Sequence, residues 1–296
     1  MENTKIEWCN MTFNPWIGCT KVSPGCANCY AEELMDKRYG RVNWGKGNPR
    51  SRTSETYWKE PLRWNRNIET SIDDALHDFG EDKYIPPHRP RVFCASLSDW
   101  LDTEVTVEWL ADLLDLIRRT PCLDWLLLTK RPEMWRDRIY SAWCHMDDTG
   151  NSTEDWLFNW WALKKPPRNV WIGTSVEDEP RADERIPHLL NIPARVRFLS
   201  CEPLLSEVGF LKTIVDKVAN PSTKLIHWVI AGGESGPKAR PMEADWARSL
   251  RDQCNASGIA FFMKQMGGVR DKRGEISDLP EDLRIREFPE EVQSDE

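Results

Sequence analysis

The sequence predicts an α/β fold, a partial or full β/α barrel, with a doubly wound open sheet as the alternative. Three observations predict it. Short, nearly continuous apolar runs recur along the chain, the pattern of parallel strands buried on both faces. Amphipathic helical stretches separate them, and strand–helix–strand alternation means right-handed β-α-β units. Polar residues stand directly after each run, at the edge where a barrel places its chemistry.

In chain order, residues 11–18 give a weak first strand. Residues 91–96 run into Leu97, Ser98 and Asp99, and residues 125–129 into Lys130, Arg131 and Pro132. Residues 170–174 run into Ser175, Val176 and Glu177, and residues 196–200 into Cys201, Glu202 and Pro203. Residues 228–231 run into Gly232, Gly233 and Glu234, and residues 260–264 give a last strand. The helix over 105–119 carries apolar residues at Val105, Trp109, Leu110, Leu113, Leu116 and Ile117. Its Thr106 makes no capping box, so Asp102 or Thr103 is the expected cap. Helices over 182–190 and 243–257 follow, the second ended by Gly258. Residues 1–267 read as one barrel domain, with Trp-rich insertions at about 39–90 and 140–168. Residues 268–296 read as a charged tail that packs loosely or is disordered.

Composition narrows the function. Forty Lys and Arg against 48 Asp and Glu leave the 296-residue chain at −8, which disfavours broad binding to duplex nucleic acid. No run approaches the ~20 apolar residues that span a bilayer. The N-terminus starts no apolar signal segment, so a cytoplasmic protein is expected. Nine cysteines, an odd number, read as reduced thiols and not as a disulfide framework.

Three of those cysteines, Cys19, Cys26 and Cys29, have the spacing C-x6-C-x2-C, with a Pro24-Gly25 turn between. Three thiolates suit three irons of a cubane and leave one iron for a substrate or cofactor. The C-x2-C pair fits zinc as well, with a fourth ligand from Cys9 or a distant His. Residue types alone leave iron–sulfur and zinc both open.

The run Asn14-Pro15-Trp16-x-Gly18-Cys19 … Cys26-x-x-Cys29-Tyr30-Ala31 resembles the cluster loop of radical S-adenosylmethionine (SAM) enzymes, in the spore photoproduct lyase-like branch. It is most similar to the phage-associated three-Cys-motif proteins. The resemblance extends, in one order, through Ser96-Leu97-Ser98-Asp99, Leu128-Thr129-Lys130-Arg131-Pro132, Gly173-Thr174-Ser175-Val176-Glu177, Ser200-Cys201-Glu202-Pro203 and Gly232-Gly233-Glu234-Ser235-Gly236. Two positions depart from it. Six residues, not three, separate the first two cysteines, and Asn28 stands where an aromatic residue precedes the third, with Tyr30 just after.

The resemblance implies a partial (β/α)6-type TIM-like barrel with an N-terminal cluster-binding loop. It implies a [4Fe-4S] cluster on Cys19, Cys26 and Cys29, SAM as cofactor, and reductive cleavage to a 5′-deoxyadenosyl radical, for nucleobase modification or repair. A flavodoxin or ferredoxin would donate the electron, in the host cytoplasm if the chain is phage-encoded. On this reading Lys130 and Arg131 meet the SAM carboxylate, and Ser175 and Glu177 the ribose. Glu202 and Glu234 hold ribose or substrate, and the Gly232-Gly233 backbone approaches the cofactor. The plainer expectation for Glu177 and Glu202 is pairing with Arg181, Arg185 or Arg197. Cys201 either donates a hydrogen atom or is an inert core thiol, and Asp99 either lines the substrate side or caps a helix. The alternative to an enzyme is a zinc-stabilised nucleic-acid-binding or interaction protein on a barrel scaffold.

Residues 39–66 interleave Arg41, Lys46, Arg50, Arg52, Lys59, Arg63 and Arg66 with Trp44, Tyr57, Trp58 and Trp64. Stacking plus phosphate contacts there point to a nucleotide or a short single strand as partner. The alternative is a packed insertion whose Arg stems cover Trp faces.

Overall fold

The computed structural model describes residues 4–79, 88–147, 152–215 and 225–289. Parts of the expected insertions (80–87 and 148–151) and of the tail (290–296) lie outside the described residues. Seven strands form one parallel sheet: β1 (Met11–Phe13), β4 (Arg91–Cys94), β5 (Asp124–Thr129), β6 (Val170–Ser175), β7 (Val196–Cys201), β8 (Trp228–Gly232) and β9 (Ala260–Gln265). Their order in the sheet is their order in the chain, and the sheet curls into a half-barrel flanked by helices. Each expected apolar run from residue 91 onward is a strand. The run 11–18 is not one strand. Asn14 and Pro15 break it, because proline brings no N–H to a ladder. The second piece, β2 (Trp16–Ile17), pairs instead with β3 (Ser51–Arg52).

Period-two alternation sends the strands' side chains to two cores. One face packs on the helices: Cys94, Leu127, Ile172, Leu199 and Val229 lie in the large outer core. The other face carries an aromatic floor of Trp8, Phe93, Trp171, Phe198, Trp228 and Phe262. Gly173 makes room there. A Cβ on it would stand 2.3 Å from the Phe198 ring, so only glycine lets that ring cross strand β6.

The β5–β6 crossover holds α5 (Trp135–Asp147) and α6 (Thr153–Trp161). The segment before β4 holds α2 (Glu55–Trp58) and α3 (Glu60–Phe79), so both Trp-rich stretches are largely helical. The helix α4 (Val107–Arg118) starts later than expected and is capped by Thr106, not Asp102 or Thr103; the Thr106 hydroxyl accepts from Trp109 N at 3.4 Å. A capping box is not needed for that bond, only an extended N-cap residue. Helix α7 (Glu179–Asn191) is capped by Asp178, and α9 (Ala244–Ser257) ends on left-handed Gly258 as expected.

The tail through residue 289 does not pack loosely. Leu279 and Leu283 are buried, and the Phe288 ring lies 5.4 Å from both Trp228 and Phe262. Glu287 N donates to Phe261 O at 2.9 Å, and Trp228 Nε1 donates to Glu287 O at 2.9 Å. Charge made this stretch read as loose, but Leu279 and Leu283 join the outer core and Phe288 packs on the floor. Among the described residues no helix is long and apolar enough to cross a membrane.

Candidate active site

Above the aromatic floor, at the C-terminal ends of the strands, the half-barrel opens into a cavity of about 370 Å³. That volume falls in the usual size class of small-molecule pockets. Cys19, Cys26 and Cys29 all line it, with Asp99, Lys130, Arg131, Ser175, Glu202 and Glu234. All three thiols are free. The order of the sheet explains the assembly: Lys130 follows β5, Ser175 ends β6 in register with Ser200 of β7, and Lys264 lies on β9.

The cysteine loop is tied down residue by residue. Arg131 reaches Cys19 Sγ with two nitrogens, at 3.6 and 3.7 Å, and donates to Thr20 O at 2.7 Å. Gly25 N donates to Glu177 Oε1 at 3.1 Å. Asn28 Nδ2 donates to Glu234 Oε2 at 2.9 Å and to Lys238 O at 2.8 Å. Tyr30 Oη donates to Ser96 O. Burial pushes the Cys19 thiol up to about 12, with Asp99 adding and Arg131 opposing. Burial also raises Cys29, against the backbone N–H groups of Glu32 and Ala31.

The family described as "Protein of unknown function (DUF5131)" matches residues 3–288. The chain belongs to this family. No curated protein and no solved structure matches it.

Within this DUF5131 chain the expected site residues divide. Lys130 stays at the cavity: its Nζ donates to Ser175 Oγ at 3.0 Å, and no carboxylate among the described residues lies within ion-pair distance. Glu202 also lines the cavity, paired with Lys264 at 2.5 Å and not with an arginine. Glu234 is 7% exposed and paired with Arg240 at 2.6 Å; that pairing and Asn28 outweigh burial and hold it below the usual carboxylate range. Asp99 is a hub: it accepts from Thr129 Oγ1 at 2.7 Å and Lys130 N at 2.9 Å, and pairs with Arg131 at 2.8 Å.

Three expectations are corrected, and a fourth gains a packing reason. Cys201 does not reach the cavity; it is fully buried in the outer core, because Ser200 faces the cavity and strand alternation turns its neighbour away. Glu177 does not line the cavity either. It is buried against the cysteine loop and paired with Arg185 at 2.9 Å, as the plainer expectation had it. Arg131 grips Cys19 and Asp99 and is not free to take a carboxylate. Gly233 lines the cavity, but its need for glycine is elsewhere: a Cβ there would stand 2.0 Å from Met266 O.

The segment 39–66 is largely a packed insertion. Arg50 pairs with Asp102 at 2.8 Å and Glu104 at 2.6 Å, and Arg52 with Asp112 at 2.8 Å while lying over Trp58. Arg63 pairs with Glu60, Tyr57 stacks on Phe13, and Trp64 is buried. Of its aromatic residues only Trp44 lines the cavity. Sequence reasoning missed Lys264 and Ser200, and named Trp44 only as part of the 39–66 segment. Lys264 had a signal, the one cation inside the apolar run 260–264.

The donors that line the cavity are the three thiols of the cysteine loop. They are soft thiols, the ligand type that selects iron–sulfur clusters or zinc, and they stand around a cavity with cationic neighbours. Among the described residues no group of three or more His, Cys, Asp or Glu is arranged to hold a metal ion as it stands.

Proposed function

We propose that this chain is a radical SAM-like enzyme, related to the phage-associated three-Cys-motif proteins, on a (β/α)6-type TIM-like partial barrel. Cys19, Cys26 and Cys29 would hold a [4Fe-4S] cluster, and SAM would sit above the floor. One observation carries the reading: three free thiols of one loop line the same strand-end cavity as an ammonium without a carboxylate partner. When bound, such a cluster supplies the electron that cleaves the SAM sulfonium reductively.

The chain's own residues have separable tasks. Lys130 offers the cation for an anionic group of the cofactor, and the Ser175 hydroxyl orients its ammonium. Glu177 and Glu234 hold the loop, through Gly25 and Asn28, so that the thiols need not be ordered on binding. The floor of Trp8, Phe93 and Trp228 keeps water from the base of the cavity. Glu202 and Lys264, on the β7–β9 side, are left for the substrate.

Anaerobic reconstitution with iron and sulfide tests the reading. Cys19→Ala, Cys26→Ala and Cys29→Ala should each abolish iron retention, while Cys122→Ala and Cys144→Ala should not. SAM at about 100 times its Kd should stabilise the loaded protein by ~2.7 kcal/mol, read as a rise in Tm that weakens in Ser175→Ala. Stoichiometric zinc with no iron would overturn the proposal in favour of a zinc-stabilised binding protein.

A further inference from the structure

We infer that Arg131 is a positioning residue that sets the reduction potential of the iron–sulfur group through Cys19, an inference that rests on the radical SAM-like reading. Its guanidinium lies in a buried chain of charge-assisted hydrogen bonds. Arg131 is 7% exposed. One terminal nitrogen donates to Asp99 Oδ2 at 2.8 Å and reaches Cys19 Sγ at 3.6 Å. The other reaches the same sulfur at 3.7 Å and donates to Thr20 O at 2.7 Å. Asp99 is fixed in turn by Thr129 and the Lys130 backbone. From the other side Arg50, buried and paired with Asp102, donates to Thr20 Oγ1 at 2.8 Å.

The first cysteine therefore differs from the other two. Cys26 has the Ser23 hydroxyl 3.8 Å away, and Cys29 has backbone N–H groups. Of the three, only Cys19 has a guanidinium within hydrogen-bond reach of its sulfur. The arrangement needs arginine, because a planar fork reaches a sulfur, a carboxylate and a carbonyl at once, and an ammonium is a compact point charge. Reduction adds negative charge to a thiolate-bound cluster. N–H donors and a cation at a ligand sulfur stabilise that reduced state and raise its potential.

The test is a redox titration of the reconstituted full chain, read by its cluster absorbance and magnetic resonance signals, with iron and sulfide counted per chain. In Arg131→Gln the reduction equilibrium should move about tenfold toward the oxidised form, ~59 mV lower for one electron. Arg131→Lys, which keeps charge without the fork, should fall between Gln and wild type. A fully loaded variant with the wild-type potential would overturn the inference. If Arg131→Gln does not fold, Arg131→Lys decides by the same comparison. A wild-type chain that takes up no iron would overturn the parent reading, and this one with it.

Discussion

Glu177 is completely buried, and both its oxygens are in use: one accepts from Gly25 N, the other pairs with Arg185 at 2.9 Å. Burial alone would raise its pKa; Arg185, Ser23, Lys130 and Gly25 outweigh that and hold it below the usual carboxylate range. A carboxylate depressed on folding contributes stability in full above its unfolded value, ~4.3, and loses it as the pH falls through the folded value. Glu177→Gln keeps the shape but strands the buried Arg185 charge, which should cost about 3–5 kcal/mol in urea unfolding at neutral pH. The variant should also lose part of the wild type's decline below pH 4. Of the candidate residues, the cysteines were legible because their spacing is local. Arg131 was placed at the site but not on Cys19, since its sulfur partner lies 112 positions away in the chain. Cys201 was left open between a hydrogen-atom donor and a core thiol although its strand held the answer: Phe198 and Ser200 share the parity of the inner face, and Cys201 has the other.

At the scale of elements, the sheet was the legible part, because parallel strands buried on both faces write themselves as apolar runs. The segment after the cysteine loop was not. Residues Glu33–Arg38 form a π-helix, with Tyr39 N donating to Leu34 O five residues back, a spacing that a 3.6-residue pattern does not register. Helix α3 was legible only as part of an insertion, weighed as a binding surface or as packing; in the structure Arg63 pairs with Glu60 along the helix. The strand packing makes its own prediction. Gly173→Ala puts a methyl into the Phe198 ring and should destabilise by ~1–3 kcal/mol, as overpacked cores do. Adding Phe198→Leu should recover part of that loss. Equal stability of Gly173→Ala and wild type in chemical denaturation would show that the two strands do not need the glycine.

Across the whole molecule, the floor depends on a segment remote from the sheet's beginning. Phe288 covers Trp228 and Phe262, Leu279 and Leu283 join the outer core, and Lys272 ties the same stretch to Glu7 at 2.6 Å. A chain cut after Gly274 should bind a hydrophobic dye such as ANS and melt at a lower temperature than the full chain. An unchanged melt would mean that the tail is dispensable to the core. The order of the strands carries a consequence for how the protein is made. Because sheet neighbours are also chain neighbours from β4 to β9, a nascent chain leaving the ribosome adds each new strand to an edge already built. Their cover follows only after β9. A chain that stops between residues 265 and 287 therefore has a nearly complete sheet whose aromatic base lacks the Phe288 ring that covers it.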